Sequence, residues 1–262
     1  MKEKLEISEI KSIEFQILKK IADICNKNNI KYSLAYGTLI GAIRHGGFIP
    51  WDDDIDIIIL RKDVARFVQL MKMDNTYDVI SSDEKFFFYP YLKISDKNTI
   101  VKEKNSTTQT GIWVDVFPLD NVPYNKIKRK IFFFNCKILR GMVLSNTTDF
   151  TSSNNRKILI KRVLSFITNI IGLNKIKVIY SKYVRKYETL SSNYISVLST
   201  PYIGKETFSN KLLDDLVDVN FETEKFKCMK DYDKYLKQIY GEYMILPSKD
   251  KQKSHEIIVY KK

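Results

Sequence analysis

Hydrophobic residues follow helical and strand spacings in turn along the first half of the chain. In residues 7–24, isoleucine and leucine recur every three or four positions, which predicts a helix with one buried face. Shorter helices are predicted at 39–45 and 63–71. Strands are predicted at four β-branched or apolar runs between polar turns, at 54–60, 77–81, 89–95 and 112–117.

The second half of the chain has a helical pattern. From Ile160 to Ile171 the apolar residues keep the helical period, and 125–190 as a whole is predicted to form two or more helices with a polar connection at 147–155. A last helix is predicted at 231–240, beginning after Asp231 and ending at Gly241. Together these elements predict an α/β (α+β) fold, in which helices flank a mixed sheet.

Charge divides this chain of 262 residues into a neutral body and one basic segment. The net charge is +13, but residues 124–187 hold fifteen basic residues and one acidic residue, whereas the remainder holds 29 basic and 30 acidic residues. We therefore expect a catalytic core at 1–123, a basic helical segment at 124–190, and a part at 191–262 that completes the catalytic domain. With 44% hydrophobic residues, global disorder is excluded.

Cysteine spacing and hydropathy exclude several other classes of protein. Cys25, Cys136 and Cys228 are widely separated, so neither a disulfide framework nor a cysteine zinc site is predicted. Residues 1–11 lack the apolar run of a signal peptide. The longest uncharged stretch of the basic segment, 163–174, is shorter than the ~20 apolar residues of a membrane span. We expect a cytoplasmic protein.

Four aspartates occupy the five positions 52–56, directly before an isoleucine run. On a strand at 54–60, Asp54 and Asp56 point to one face with Cα atoms roughly 6.7 Å apart, and the alternate isoleucines face the core. Two carboxylates on one face of an apolar strand repel each other unless a cation lies between them. The pattern therefore favours a site for Mg²⁺, with Mn²⁺ as the second choice, over a solvated acidic turn.

Residues before and after this acidic stretch could bind a phosphate. Gly37 and Thr38 begin the short helix predicted after them, where free backbone N–H groups attract anions and the threonine adds a hydroxyl donor. A plain glycine turn is the alternative. Arg44, His45 and Lys93 are candidates for holding a diphosphate; the alternatives are surface charges for the arginine and lysine, and a turn residue for the histidine.

A third carboxylate would complete such a site. Asp115 interrupts the apolar strand predicted at 112–117, where a charge is costly without a partner. It is predicted to be a further metal contact or the general base that takes a proton from an acceptor hydroxyl. Asp120 is the competitor, but it follows Pro118 and is predicted to be a turn residue.

These motifs together resemble the LicD family, whose relatives include fukutin and fukutin-related protein. The matching blocks read Tyr-Gly-Thr-Leu-Ile-Gly-Ala-Ile-Arg-His at 36–45 and Gly-Phe-Ile-Pro-Trp-Asp-Asp-Asp-Ile-Asp at 47–56. Trp-Val-Asp-Val-Phe-Pro-Leu-Asp at 113–120 and the tail at 232–247 match as well. The resemblance spans 30–255, and the basic middle is its least family-like part.

The resemblance implies a nucleotidyltransferase-like core that transfers a phosphorylated alcohol. The typical reaction moves phosphocholine from CDP-choline to a hydroxyl of a cell-surface glycan, such as lipopolysaccharide or teichoic acid, or of its lipid-linked precursor, and releases CMP. By motif position, Asp54 and Asp56 would bind Mg²⁺, Asp52 would support them, and Asp115 would be the third acid. Ribitol phosphate, glycerol phosphate and true nucleotidyl transfer remain alternatives, and the many aromatic residues near the motifs could hold a choline group.

Three interpretations of the basic segment remain. Basic faces beside phenylalanines suit anionic lipid headgroups, which predicts a peripheral position at the inner face of the cell membrane. Amphipathic helices with solvated lysines are the second interpretation. A non-catalytic adaptor that binds lipid or nucleic acid is the third; it leaves the aspartates without a role, and no nucleic-acid partner is expected.

Overall fold

The computed structural model describes residues 3–81, 89–102, 110–145, 155–252 and 258–262. Its helices are α1 Ile7–Lys27, α2 Tyr36–His45, α3 Arg61–Asp74, α4 Lys126–Ser145, α5 Asn155–Ile171, α6 Leu173–Val184 and α7 Tyr232–Tyr240. Its strands are β1 Tyr32–Leu34, β2 Asp56–Leu60, β3 Asp78–Ile80, β4 Leu92–Ser95, β5 Thr99–Lys102, β6 Trp113–Asn121, β7 Tyr194–Ser196, β8 Thr207–Ser209, β9 Leu216–Phe221, β10 Glu224–Met229 and β11 Ile258–Lys261. The mixed α/β class predicted from the sequence is confirmed.

A seven-stranded sheet carries the middle of the fold. Its main path is β1-β2-β6-β4-β3, and β7 joins β6 to β8. Only β2 and β6, among the described pairs, run parallel, and their register places Asp56 opposite Asp115. β9 and β10 form a separate hairpin, and β11 pairs with β5. Asp56 and Asp115 therefore lie side by side near the N-terminal ends of the two parallel strands.

Both faces of the parallel pair are covered. Ile57, Ile58 and Ile59 have no exposed surface, because α2 and α3 pack against β2 while α1 and α3 pack against β6. A continuous isoleucine run is what a strand buried on both faces requires. From the sequence, only the alternate isoleucines Ile57 and Ile59 were expected to face the core, whereas Ile58 is buried as well.

A second apolar cluster lies in the basic segment. α4 and α6 supply most of it, including Phe132, Cys136 and Tyr180, and Leu198 joins it from the chain after β7. The expectation of two or more helices is confirmed with three, while residues 147–154 of the predicted polar connection lie outside the described residues. The division into three parts stays a prediction.

No single helix of the described residues is long and apolar enough to cross a membrane. Residues Ile158–Ile171 and Leu173–Tyr187 together meet the length and composition of a span, but they are bent by 100° at the break between them.

Two sequence predictions are corrected by the structure. Asp120 was predicted to be a turn residue, but it lies within β6 and is buried, because Pro118 occupies a strand position without ending the strand. The acidic strand was predicted to begin at residue 54, but β2 begins at Asp56, and Asp54 belongs to the connection before it. The alternation of faces therefore does not fix the side chain of Asp54.

Candidate active site

Asp56 and Asp115 form the centre of the candidate site. They are Cα partners on the parallel strands β2 and β6, so their side chains leave the sheet on the same face, and both residues are buried. Burial raises the pKa of Asp56 well above its usual value, and the charges of Asp54, Asp115 and Asp52 raise it further. Lys93 is the cation that opposes this shift.

Asp115 is oriented by two donors. The indole Nε1 of Trp113 donates to its Oδ2 at 3.2 Å, and the Lys93 ammonium lies 3.1 Å from its Oδ1. The antiparallel register of β4 and β6 places Lys93 directly opposite Asp115. The ammonium also lies 3.7 Å from the centroid of the Trp113 ring, a cation–π distance. Lys93, which the sequence predicts as a diphosphate contact, thus forms an ion pair with Asp115 in this structure.

The start of α2 is built around Gly37 and Thr38. A Cβ on Gly37 would lie 2.5 Å from Asp52 Oδ2, so only glycine allows the carboxylate to approach the helix this closely. The Thr38 hydroxyl is buried and accepts a hydrogen bond of 2.8 Å from the Asp56 backbone N–H. In this structure, Asp52 therefore lies at the helix end predicted to receive a phosphate, and Thr38 fixes the first residue of β2.

Arg44 and His45 lie in the last turn of the same helix, away from its glycine start. Arg44 Nη1 donates to the Tyr243 carbonyl at 2.6 Å, and Arg44 Nε lies 2.9 Å from His45 Nε2. The His45 ring meets Trp51 edge-on, with centroids 6.2 Å apart. Partial burial and the charge of Arg44 lower the pKa of His45. The structure thus joins these two residues to each other and to the C-terminal tail.

Sequence reasoning missed Glu14 as a residue near the acidic stretch. It lies on α1, is 2% exposed, and its Oε2 has no hydrogen-bond partner. Burial raises the pKa of Glu14 well above its usual value, with further contributions from the charges of Asp54 and Asp53. A signal was present in the sequence, because Glu14 falls on the apolar stripe of the helix, between Ile10 and Ile17.

Glu206, Tyr36 and Thr200 form a buried polar cluster near the site. Glu206 has no exposed surface, and it accepts hydrogen bonds from the hydroxyls of Tyr36 and Thr200. Burial raises the pKa of Glu206 to about 7. Tyr240 of α7 belongs to the same neighbourhood: burial and the charge of Asp56 raise its pKa. Tyr36 at the start of α2 and Tyr240 of α7 therefore both lie near enough to Asp56 for its charge to act on them.

The acidic residues fit a divalent cation in charge and donor type. Asp56 is buried with three other carboxylates close enough to raise its pKa, and carboxylate oxygens are the ligands that Mg²⁺ prefers. Among the described residues, no three His, Cys, Asp or Glu side chains converge into a complete set of ligands. The positive charge beside the pair is supplied here by the Lys93 ammonium.

Two cavities lie away from the acidic pair. One, of about 220 Å³, is lined by Leu60, Arg61 and Asn121 at the other end of β2 and β6. The other, of about 340 Å³, is lined by Lys72, Tyr77 and residues around them. Neither of these two cavities is lined by Asp54, Asp56 or Asp115.

Comparisons with known proteins show which family the chain resembles. The family model described as LicD/FKTN/FKRP, nucleotidyltransferase domain, matches residues 29–155. The lipopolysaccharide cholinephosphotransferase LicD of Haemophilus influenzae is 29% identical, over 97% of this chain and 97% of its own. The ribitol 5-phosphate transferase FKRP of Mus musculus is 29% identical over 36% of this chain and 18% of its own.

A solved structure gives a weaker likeness. The solution structure of the antibiotic-resistance factor ANT(2'')-Ia is 14% identical and covers 69% of this chain and 96% of its own, with a TM-score of 0.26. At that score the likeness carries no argument about this chain.

The mixed sheet, with aspartates at the start of its parallel strands, and the matched domain define a transferase with a nucleotidyltransferase-type core. Within that class, residues 29–155 match the LicD family model, and the chain is similar along 97% of its length to a LicD cholinephosphotransferase.

Proposed function

We propose that this protein transfers phosphocholine from CDP-choline to a hydroxyl of a cell-surface glycan, or of its lipid-linked precursor, and releases CMP. The observation that carries the proposal is the buried pair of Asp56 and Asp115, with Asp52 and Asp54 close enough to add their charge. The likeness to a lipopolysaccharide cholinephosphotransferase supports choline as the alcohol and a glycan as the acceptor.

In this proposal the acidic residues hold a divalent cation. Asp54 and Asp56 would bind Mg²⁺ or Mn²⁺, and Asp52 would support them from the start of α2. A bound cation would neutralise the phosphate oxygens as the bond to CMP breaks. Asp115, oriented by Trp113 and Lys93, would complete the acidic set or accept the proton of the acceptor hydroxyl.

In this proposal Lys93 would contact the diphosphate of the donor. Its ammonium lies between Asp115 and the faces of Trp113 and Tyr91, at 3.7 and 5.8 Å from the two ring centroids. A lysine ammonium on a flexible stem can exchange a carboxylate for a phosphate partner. The diphosphate role of Arg44 and His45 stays a prediction, since their described contacts are with Tyr243, Trp51 and each other.

Aromatic faces near the acidic pair support a choline donor. A trimethylammonium group cannot donate a hydrogen bond and is held best by aromatic rings. The ring of Trp113 already has a cation, the Lys93 ammonium, over its face. Tyr240, whose pKa is raised by burial and by the charge of Asp56, lies in the same neighbourhood.

The test is CMP release from three donors: CDP-choline, CDP-ribitol and CDP-glycerol, each with Mg²⁺ and with a chelator. We expect release from CDP-choline that requires the metal and falls at least about 100-fold in Asp54→Asn, Asp56→Asn and Asp115→Asn. Asp218→Asn is the matched control, because Asp218 is also a strand aspartate but is exposed. Release without metal, or full activity in Asp56→Asn, would contradict the proposal.

Two further measurements separate the alternatives. The likeness to FKRP favours ribitol phosphate as a second donor, so selective release from CDP-ribitol would replace choline in the assignment. Mass analysis of the acceptor distinguishes an added alcohol phosphate from an added nucleotide. Independently of activity, Mg²⁺ should raise the melting temperature of the wild type and of Asp218→Asn, but not that of Asp56→Asn.

A further inference from the structure

The outward face of α5 is apolar. Its inward side packs on α4, where Thr168 has no exposed surface and its hydroxyl donates to the Met142 carbonyl at 3.3 Å. Gly141 of α4 allows close contact with Leu164, since a Cβ there would lie 2.9 Å from the leucine Cδ1. The opposite side carries six large apolar side chains that are 37–70% exposed: Leu159, Ile160, Val163, Phe166, Ile167 and Ile170.

The neighbouring helices α4 and α6 also expose apolar side chains. On α4 the exposed apolar residues are Ile127, Ile131 and Phe134, and on α6 they are Val178 and Ile179. Of the twenty large hydrophobic residues that are exposed among the described residues, thirteen lie between positions 124 and 190. Folded soluble domains rarely expose so concentrated an apolar surface without a binding partner.

The charge of these helices indicates what the partner is. None of α4, α5 and α6 contains an aspartate or a glutamate, and together they carry a high density of lysine and arginine. Within the stripe of α5, Lys161 and Arg162 stand between the exposed apolar residues. An amphipathic helix with basic residues beside leucine, isoleucine and phenylalanine has the composition of helices that lie in the interface of anionic membranes.

We propose that the α4–α6 face binds the anionic leaflet at the inner face of the cell membrane, with α5 lying along the headgroup region. The exposed side chains of Phe166 and Ile170 would enter the boundary between headgroups and acyl chains, and Lys161 and Arg162 would contact lipid phosphates. α5 has 17 residues, which gives it a length of roughly 25 Å along the surface. Membrane binding does not depend on the proposed reaction, and it would bring the enzyme to a lipid-linked acceptor.

The first test is co-sedimentation of the full chain with vesicles of phosphatidylglycerol and phosphatidylcholine, compared with pure phosphatidylcholine. We expect binding to the anionic vesicles that weakens with salt and falls at least about tenfold in the double variant Phe166→Glu with Ile170→Glu. Met73→Glu is the matched control, because Met73 is 74% exposed on α3, outside the basic segment. Equal binding to both vesicles, or an equal loss in Met73→Glu, would overturn the proposal.

A second variant, Phe166→Trp, measures how deeply α5 enters the membrane and keeps a large aromatic side chain at this position. The only tryptophans are Trp51 and Trp113, neither of which lies in the basic segment, so Phe166→Trp adds a probe on α5. Brominated acyl chains should quench this added fluorescence, while Met73→Trp should remain unquenched. An unquenched probe in Phe166→Trp would exclude insertion of α5.

The same protein can be tested for two alternatives to peripheral membrane binding, which are a dimer and a bilayer-crossing helix pair. If a second copy of the chain covers the face, sedimentation velocity will show a dimer that Phe166→Glu dissociates, and anionic vesicles will not bind. If the bent pair of α5 and α6 crosses the bilayer instead, the bound protein will resist release by high salt and alkaline washing. Either result would overturn a peripheral position.

Discussion

Gly37 is required by a contact rather than by flexibility. Asp52 approaches the start of α2 so closely that a Cβ on residue 37 would lie 2.5 Å from the carboxylate. The residue before it, Tyr36, has φ of 48°, a left-handed conformation that is costly for a non-glycine side chain. A close side-chain contact at Gly37 and a left-handed backbone at Tyr36 thus occur together where α2 faces the aspartates.

Replacing this glycine should therefore damage both the fold and the site. We expect Gly37→Ala to displace the Asp52 carboxylate and to lower the free energy of unfolding by about 1 kcal/mol, the low end of overpacking costs, because the contacted atom is the end of a side chain that can turn away. In the background of Asp52→Ala the collision is absent, so the same change should cost much less. A double-mutant cycle by urea denaturation measures this coupling, and additive effects would show that the contact does not matter.

A buried ion pair connects the parallel strands to the helix after them. Arg61, the first residue of α3, binds Asp120 of β6 through two bonds, 2.6 Å from Nε to Oδ1 and 2.9 Å from Nη2 to Oδ2. Burial raises the pKa of Asp120, and the guanidinium opposes that rise. A buried charge whose partner is removed cannot be solvated, which makes such pairs sensitive to single substitutions.

Breaking this pair should destabilise the protein without touching the acidic site. We expect Asp120→Ala to lower the free energy of unfolding by about 3–5 kcal/mol, and Arg61→Met with Asp120→Leu to cost less because both charges are gone. The control is Asp23→Asn, which removes the exposed pair with Lys27 and should cost below about 1 kcal/mol. Similar losses for the buried and the exposed pair, measured by chemical denaturation, would contradict this expectation.

Elements with a strong local pattern could be predicted from the sequence. The apolar stripe of the first helix predicted residues 7–24, and the structure gives Ile7–Lys27. All four predicted strands differ from the structure by a few residues at one or both ends, as for 77–81 against Asp78–Ile80. The β9–β10 hairpin and β11 were not predicted, although Ile258, Val259 and Tyr260 of β11 are β-branched or aromatic residues that favour a strand.

The candidate site was predictable where residues share a motif and not where distant elements meet. The proximity of Asp56 and Asp115 follows from the register of β2 and β6, which the sequence does not specify, although both aspartates were chosen for their apolar surroundings. Glu14 was missed because it comes from another helix, and Asp120 was misjudged because Pro118 suggested the end of a strand. In both cases the position of the residue depends on contacts with elements distant in the sequence.

At the scale of the whole molecule, several buried carboxyl groups disfavour ionisation. Burial is the largest cause of the raised pKa of Glu14, of Asp56 and of Glu206. Each of these groups takes up protons more readily in the folded chain than in the unfolded chain. Their combined effect is a stability that falls as the pH rises, in contrast to the usual effect of ion-paired surface carboxylates.

Glu206 provides the cleanest measure of this effect, since its partners are the hydroxyls of Tyr36 and Thr200 rather than the acidic pair. Its pKa rises from 4.5 in the unfolded reference to about 7 in the fold. Below pH 4.5 Glu206 is protonated in both the folded and the unfolded chain, so its contribution to stability is fully present. Between pH 4.5 and 7 the unfolded chain loses its proton first, so stability should fall by about 3 kcal/mol and then level off.

The variant Glu206→Gln removes this titration while its amide oxygen can still accept a hydrogen bond. We expect its free energy of unfolding to depend less on pH between about 4.5 and 7 than that of the wild type, by about 3 kcal/mol over the interval. Urea denaturation across this range measures the difference, with Glu242→Gln as an exposed control. Parallel pH profiles for the wild type and Glu206→Gln would show that the Glu206 carboxyl is not what weakens the fold as the pH rises.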